Sequence, residues 1–196
     1  MQKRKNIDAI AMGAKLRGIE PVLEISSKST VDLGRALSAF SLKHQTSNGS
    51  MIPLESAFQS AKVFQGGGPF IDLQDKKPKD ARRDSRLKFS GKLLHFELDG
   101  HQWSLELGTA FYDWIYCRAM FQLEAIVKPI FSYAGFSDIE FNPNKSLNCQ
   151  ARSCALYSAL HSDGVLKDAM ANKDLFKSFY GNVENQHSDL TLFDNL

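Results

Sequence analysis

The dipeptide Asp99-Gly100, with alternating residues on both sides, constrains the fold of this chain more than any other segment. A two-residue hairpin turn needs positive φ at both central positions, and Asp-Gly supplies it cheaply. The stretch from Lys92 to Leu107 therefore reads as an antiparallel hairpin, with Leu-Leu-His-Phe-Glu-Leu returning as His-Gln-Trp-Ser-Leu-Glu. The chain has 196 residues, 43% hydrophobic and 23% charged, enough for one ordinary core and one domain.

Strands and helices surround that hairpin in irregular order. Residues 21–26 read as a short strand, 36–42 as a second strand or an extended loop, and 45–50 as a polar turn containing Asn48-Gly49. Pro53 is well placed to open a helix running to about Phe64, ended by Gly66-Gly67-Gly68-Pro69. The charged stretch from Asp72 to Ser90 reads as an exposed loop with a short helix after Pro78. Thr109 can cap a helix from Ala110 towards Val127, where Lys128-Pro129 interrupts it. A strand is expected over 137–141, and Asn148 can cap a helix through Ala159 with Asp163-Gly164 as its exit. One or two shorter helices fill 165–180. The irregular interleaving predicts an α+β fold, a small mixed sheet or hairpin packed by several helices, and not a repeating βαβ array. The expected domain spans 19–185, between a basic tail or loosely docked helix over 1–18 and a C-terminal tail over 186–196.

Twenty-four Lys+Arg against 22 Asp+Glu leave a formal charge of +2, too balanced to mark a general nucleic-acid or membrane coat. Three cysteines, Cys117, Cys149 and Cys154, lie in otherwise apolar stretches, which suits buried thiols in the cytoplasm better than a disulfide framework. The basic start Met1–Asn6 resembles the first part of an export signal, but Asp8, Lys15 and Arg17 break up any apolar core behind it. No stretch approaches the ~20 apolar residues that span a bilayer, so no membrane partner is expected. Five scattered histidines, with no Cys-x-x-Cys or His-x-x-x-His, predict neither a metal site nor a cofactor. Gly66 to Gly68 lacks the Gly-Lys-Ser/Thr ending of a phosphate loop; it reads as a helix C-cap or as a place where a ligand can approach the backbone closely.

Three constellations can carry chemistry. On a helix from Pro53 to Phe64, Glu55, Gln59 and Lys62 would share an arc of roughly 60° beside an apolar stripe of Leu54, Phe58 and Ala61. Glu55 and Lys62 would then stand about 10 Å apart along the axis and flank a sugar-sized group, unless the row is simply a solvated face. Next, Asp113 and Arg118 interrupt an aromatic helix; a carboxylate in a first turn is stabilised by the helix dipole, and Tyr112 and Trp114 either pack in the core or stack on a base. Finally, the loop from Phe141 feeds a helix carrying Asn148, Gln150 and Arg152. Arg152 there either grips a phosphate or pairs with a core carboxylate.

The row Glu55-x-x-x-Gln59-x-x-Lys62 ending at Phe64, preceded by Ser38-Ala39-Phe40 and followed by Asp113-Trp114 and Met120, resembles the NADAR family, which includes the YbiA-type N-glycosidases. The segments Gly66-Gly67-Gly68-Pro69-Phe70, Ile139-Glu140-Phe141-Asn142-Pro143 and Asn148-Cys149-Gln150-Ala151-Arg152 resemble most the branch found beside DarT-type DNA ADP-ribosyltransferase toxins. The chain departs from the broader pattern in three places: Ala39 stands for the usual Asn, Ser56 for the His after the glutamate, and Val63 is inserted between Lys62 and Phe64.

The resemblance implies an antitoxin that removes ADP-ribose from guanine bases of DNA, opposed to a cognate transferase toxin. Catalysis is expected from Glu55, handling protons at the ribose, from Lys62, attacking the opened sugar as a Schiff base, and from Asp113, positioning the lysine or a water. Ser38, Phe40, Gln59, Phe64, Gly67, Gly68, Trp114, Asn148 and Arg152 are the expected ligand contacts. Lys62 must then be neutral part of the time, which calls for apolar walls such as Phe58, Phe64 and Trp114 and a nearby arginine. DNA phosphates would meet the basic loop from Lys76 to Lys88, although ordinary solubilising charge explains most of those residues. Two alternatives stay open: a module that binds ADP-ribose or another NAD derivative without turnover, and a small-molecule N-glycosidase acting on riboflavin-pathway intermediates.

Overall fold

The computed structural model describes residues 2–144 and 146–180; the C-terminal tail expected over 186–196 lies outside the described residues. The chain opens with helix α1 (Gln2–Lys15), which buries only Ile7 and reaches the body through an ion pair from Lys3 Nζ to Glu140 at 2.8 Å. Strand β1 (Val22–Glu24) follows, within the strand expected over 21–26, and then helix α2 (Asp32–Ala36). Residues 36–42 form no strand: Ser38, Ala39 and Leu42 are buried in turns closed by bonds from Ser41 and Leu42 N–H to the Ser38 carbonyl. Short alternation of small and large residues is satisfied equally by a buried turn, because burial and not periodicity decides it.

The polar turn at Asn48-Gly49 joins β2 (Lys43–Gln45) to β3 (Met51–Pro53) as an antiparallel hairpin. Pro53 then precedes α3 (Leu54–Ser60), a helix buried along its whole length. The helix stops earlier than its amphipathic pattern predicts. Ala61 is its last turn, and β4 (Lys62–Phe64) runs on as a strand paired antiparallel with β5 (Leu93–Leu98). Val63 and Phe64 favour extended backbone, and the waiting β5 edge offers hydrogen bonds that a further helical turn would forgo. Between these two strands lie a 3-10 turn (Ile71–Asp75), α4 (Pro78–Ala81) and α5 (Arg86–Phe89).

The hairpin anticipated at Asp99-Gly100 is present, with φ of 52° and 72° at the two turn residues and β6 (His101–Ser104) as the returning strand. Helix α6 (Ala110–Phe121) is apolar nearly all round and accordingly buried on most sides. It ends at Gln122, before the expected Val127, and α7 (Glu124–Val127) resumes after a break; Thr109 does not cap it but turns its hydroxyl to Asp113. The last strand, β7 (Gly135–Ser137), begins two residues before the expected segment and pairs parallel with β1. Helix α8 (Gln150–Ser162) is capped by the Asp138 carboxylate, which accepts from Gln150 N–H at 3.2 Å, and not by Asn148. Gly164, at φ 71°, closes it as expected, and α9 (Leu166–Ala171) and α10 (Lys173–Ser178) complete the described chain.

The result is a mixed α+β domain of three small sheets and several helices around one core. Its centre is Leu23, Leu37, Leu54, Ile115, Tyr116 and Met120, all essentially inaccessible to water. Burying each such side chain contributes about 1.5–3 kcal/mol, which is why α3 and α6 hold their places. No helix among the described residues is long and apolar enough to cross a membrane.

Candidate active site

Helix α3 brings two of the expected residues together. Glu55 and Gln59 are one turn apart, 8% and 6% exposed, and Gln59 Nε2 donates to Glu55 Oε1 at 2.9 Å. The Glu55 backbone N–H donates to the Ala39 carbonyl at 3.2 Å, so the Ser38–Phe40 turn is pinned against the first turn of α3. Ser38 is buried with its hydroxyl on Ser41 at 3.0 Å, whereas the Phe40 ring is exposed. Ser56, where the family pattern has His, donates to the Lys76 carbonyl at 2.8 Å and fastens the charged loop to α3.

Lys62 reaches the same place by another route. It leaves α3, enters β4 and carries its amine back over the Phe58 ring, 5.1 Å from the centroid. Burial pushes its pKa from 10.5 down to about 8, against the pull of the Glu55 carboxylate and with the help of the Arg82 guanidinium. A desolvated amine within electrostatic reach of the Glu55 carboxylate is therefore present, although not by the helical row the spacing predicts. The register of β4 against β5 shifts between Val63 and Phe64, at the residue inserted into the family pattern. A bulge is how a strand absorbs one extra residue.

The loop after β4 holds that strand end from outside. Gly68, at φ 110°, lies so close that a Cβ there would stand 2.3 Å from the Lys62 carbonyl oxygen. Gly67, at φ 147°, faces the Phe70 ring, and Phe64 stacks on Phe70 at 6.2 Å.

Asp113 is 1% exposed and gathers four donors: Thr109 Oγ1 at 2.7 Å, Ser153 Oγ at 2.5 Å, Tyr180 OH at 2.7 Å, and the Arg152 guanidinium. Lys62 is not among them. Arg152, half-exposed, is the cation that this carboxylate orients, which matches the core-carboxylate alternative for it. Trp114 packs against Trp103 and Phe176 and under Arg118, so its ring is engaged by the core. Asn148 lies in the loop before α8, its N–H bonded to Ser146 Oγ at 3.1 Å.

Three residues were not singled out by spacing. Asp138 accepts from both the backbone and the side-chain amide of Gln150, whose Oε1 in turn accepts from Ala39 N–H at 2.6 Å, tying β7, α8 and the Ser38–Phe40 turn into one wall. Arg82 looked like one more solvated charge in a charged loop. Tyr112 was noticed only for its ring; burial first, and then the charges of Glu55, Asp138 and Asp113, hold its hydroxyl pKa well above the usual value. No sequence signal short of the pairing of distant elements would have found these neighbours.

A cavity of about 190 Å³ lies elsewhere, lined by Phe121, Val127, Phe131, Tyr157 and His161 at the C-terminal end of α6, roughly 13 Å along the helix from Tyr112. Among the described residues no three His, Cys, Asp or Glu side chains are grouped to hold a metal ion.

An α+β body that buries an acid–amide pair near a desolvated amine is consistent with a NADAR-like domain. The chain belongs to the family described as DarT1-associated NADAR antitoxin, which matches residues 1–189. Membership carries an antitoxin role and a cognate toxin as its counterpart. Among curated proteins there is no match to this chain.

Proposed function

We propose that this protein is an ADP-ribosyl glycohydrolase that removes ADP-ribose from guanine bases of DNA through a Schiff base on Lys62. The observation that carries the reading is the Lys62 amine, drawn down to about 8 by burial against Phe58 with Glu55 beside it. At pH 7 about one such amine in ten is neutral, against about one in three thousand at its ordinary value.

The bond to be broken joins an amino nitrogen of the base to the anomeric carbon of the ribose. Protonation of the ring oxygen opens the sugar and leaves that carbon doubly bonded to the base nitrogen. The lone pair of Lys62 then adds to it, the base departs as its free amine with the proton lost by the lysine, and a lysine imine remains. Water adds to the imine carbon, the lysine leaves, and ADP-ribose is released as the aldehyde, which recloses. Glu55 gives and recovers the protons at the ribose, and Gln59 holds one of its oxygens in place. Phe40, exposed beside Ala39, is the available surface for a nucleobase. Arg152, aimed by Asp113, is the cation for a phosphate, and Asp113 thus acts through the arginine and not on the lysine. Lys76 and Arg86 are already engaged by Asp72 and Asp84, so of the basic loop Lys77, Lys79, Arg82, Arg83 and Lys88 remain for DNA phosphates.

Borohydride added during turnover of DNA carrying ADP-ribosylated guanosine is expected to fix a protein–ADP-ribose adduct in the wild type and none in Lys62→Ala. An equal adduct in Lys62→Ala excludes that attachment point. Tight binding of ADP-ribose without its release from the DNA would instead make the protein a binding module.

A further inference from the structure

The donors around Glu55 are largely spent. One N–H of Gln59 is on Glu55, the Ser38 hydroxyl is on Ser41, and the Gln150 amide is on Asp138. A ribose bound here can donate its hydroxyls to the Glu55 carboxylate, and its oxygens can take donors beyond the Lys62 amine. The remaining candidate is on α6. Tyr112 is 5% exposed, set edge-on to the Phe58 ring at 5.2 Å and tilted against Tyr116 at 5.9 Å, so the ring is clamped. Its hydroxyl has no hydrogen-bond partner among the described residues, whereas the neighbouring Tyr116 hydroxyl donates to the Leu37 carbonyl. The sealed side-chain polar atoms without a partner are His44 Nδ1 and Ser158 Oγ, and the Tyr112 hydroxyl is not one of them.

We propose that Tyr112 is a further ligand-binding and catalytic residue, its hydroxyl donating to a ribose oxygen of the substrate beside Glu55 and Lys62. A clamped ring whose hydroxyl has no partner among the described residues loses little on binding, because neither rotamer freedom nor such a bond has to be given up. Burial first, and then the Glu55, Asp138 and Asp113 carboxylates, hold its pKa well above the usual 10, so it stays a donor through the whole working range. The proposal rests on the glycohydrolase reading, from which it takes the ribose.

Tyr112→Phe removes the hydroxyl and keeps the ring packing. Single-turnover release of ADP-ribose from modified DNA is expected to fall about 100-fold, the usual loss for one well-aimed donor, with the thermal midpoint unchanged because no internal bond is lost. Calorimetric titration with free ADP-ribose is expected to show about tenfold weaker binding. Tyr116→Phe, which loses an internal bond, should instead lower the thermal midpoint. Active wild type with an equally fast Tyr112→Phe overturns the proposal and leaves the glycohydrolase reading intact. Wild type that binds ADP-ribose without releasing it ends the glycohydrolase reading, and the titration then decides alone, equal affinities overturning the contact. Wild type that neither binds nor releases overturns both.

Discussion

Lys62, the proposed nucleophile, sits at a cost to stability. Its folded pKa of about 8 lies below the ordinary 10.5, so between those values the unfolded chain binds more protons than the folded one. Stability contributed by this site therefore rises with pH from about 8 to about 10.5 and is absent below 8, where the buried amine must carry charge. Lys62→Met should abolish the borohydride adduct and yet raise stability at pH 7 by about 1 kcal/mol, as replacing a poorly compensated buried charge commonly does. Urea melts at pH 7 and pH 10 check this: the two proteins should converge at the higher pH. A variant weaker than wild type at pH 7 would mean that the amine is well solvated. Arg82 acts on the same group from the loop, lowering its pKa by charge. Arg82→Ala should move the midpoint of the adduct-forming rate to higher pH, measured as a rate–pH profile on a mononucleotide substrate so that DNA contacts do not intrude.

At the scale of elements, the piece that places Lys62 is the join of α3, β4 and the glycine loop. The helix ends at Ser60, the Glu97 N–H takes the Ala61 carbonyl at 2.7 Å, and the ladder with β5 begins at once. Gly68 closes over this join with a positive φ and no room for a Cβ. Gly68→Ala should cost about 1–3 kcal/mol and push the Lys62 backbone aside, so that adduct yield falls more steeply than stability alone requires. Gly13→Ala is the matching control. Gly13 lies within α1, its nearest obstacle is the guanidinium of Arg17 at 3.6 Å, and the change should leave activity alone. Equal activity in both variants would show that the loop does not hold the lysine.

For the molecule as a whole, Asp113 is a junction. Its four donors come from the start of α6, from α8 and from Tyr180 beyond α10, so it joins three segments that the chain visits far apart. Asp113→Ala removes the acceptor of three hydroxyls and of the half-exposed Arg152 cation and should cost about 1–3 kcal/mol, seen as a lower urea midpoint with an unchanged slope. A variant as stable as wild type would reduce the cluster to surface decoration. The same junction marks the limit of what spacing can reveal. The Asp99-Gly100 hairpin, the Gly164 exit of α8, the neighbourhood of Glu55 and Gln59 and the α+β class were all legible, because each depends on backbone preferences or on partners within one turn. Lys62 was read onto a helix because its own segment is amphipathic; the strand it joins is set by Phe96 and His95, some thirty residues later. Tyr112 edge-on to Phe58, Asp138 capping α8 and the choice of Asp113 as the carboxylate for Arg152 have the same character. The sequence alone determined the local conformations and the chemical kinds of group available. Only the tertiary structure decided which of them meet, because contacts between distant segments are paid for by burying a common core that no short window of residues contains.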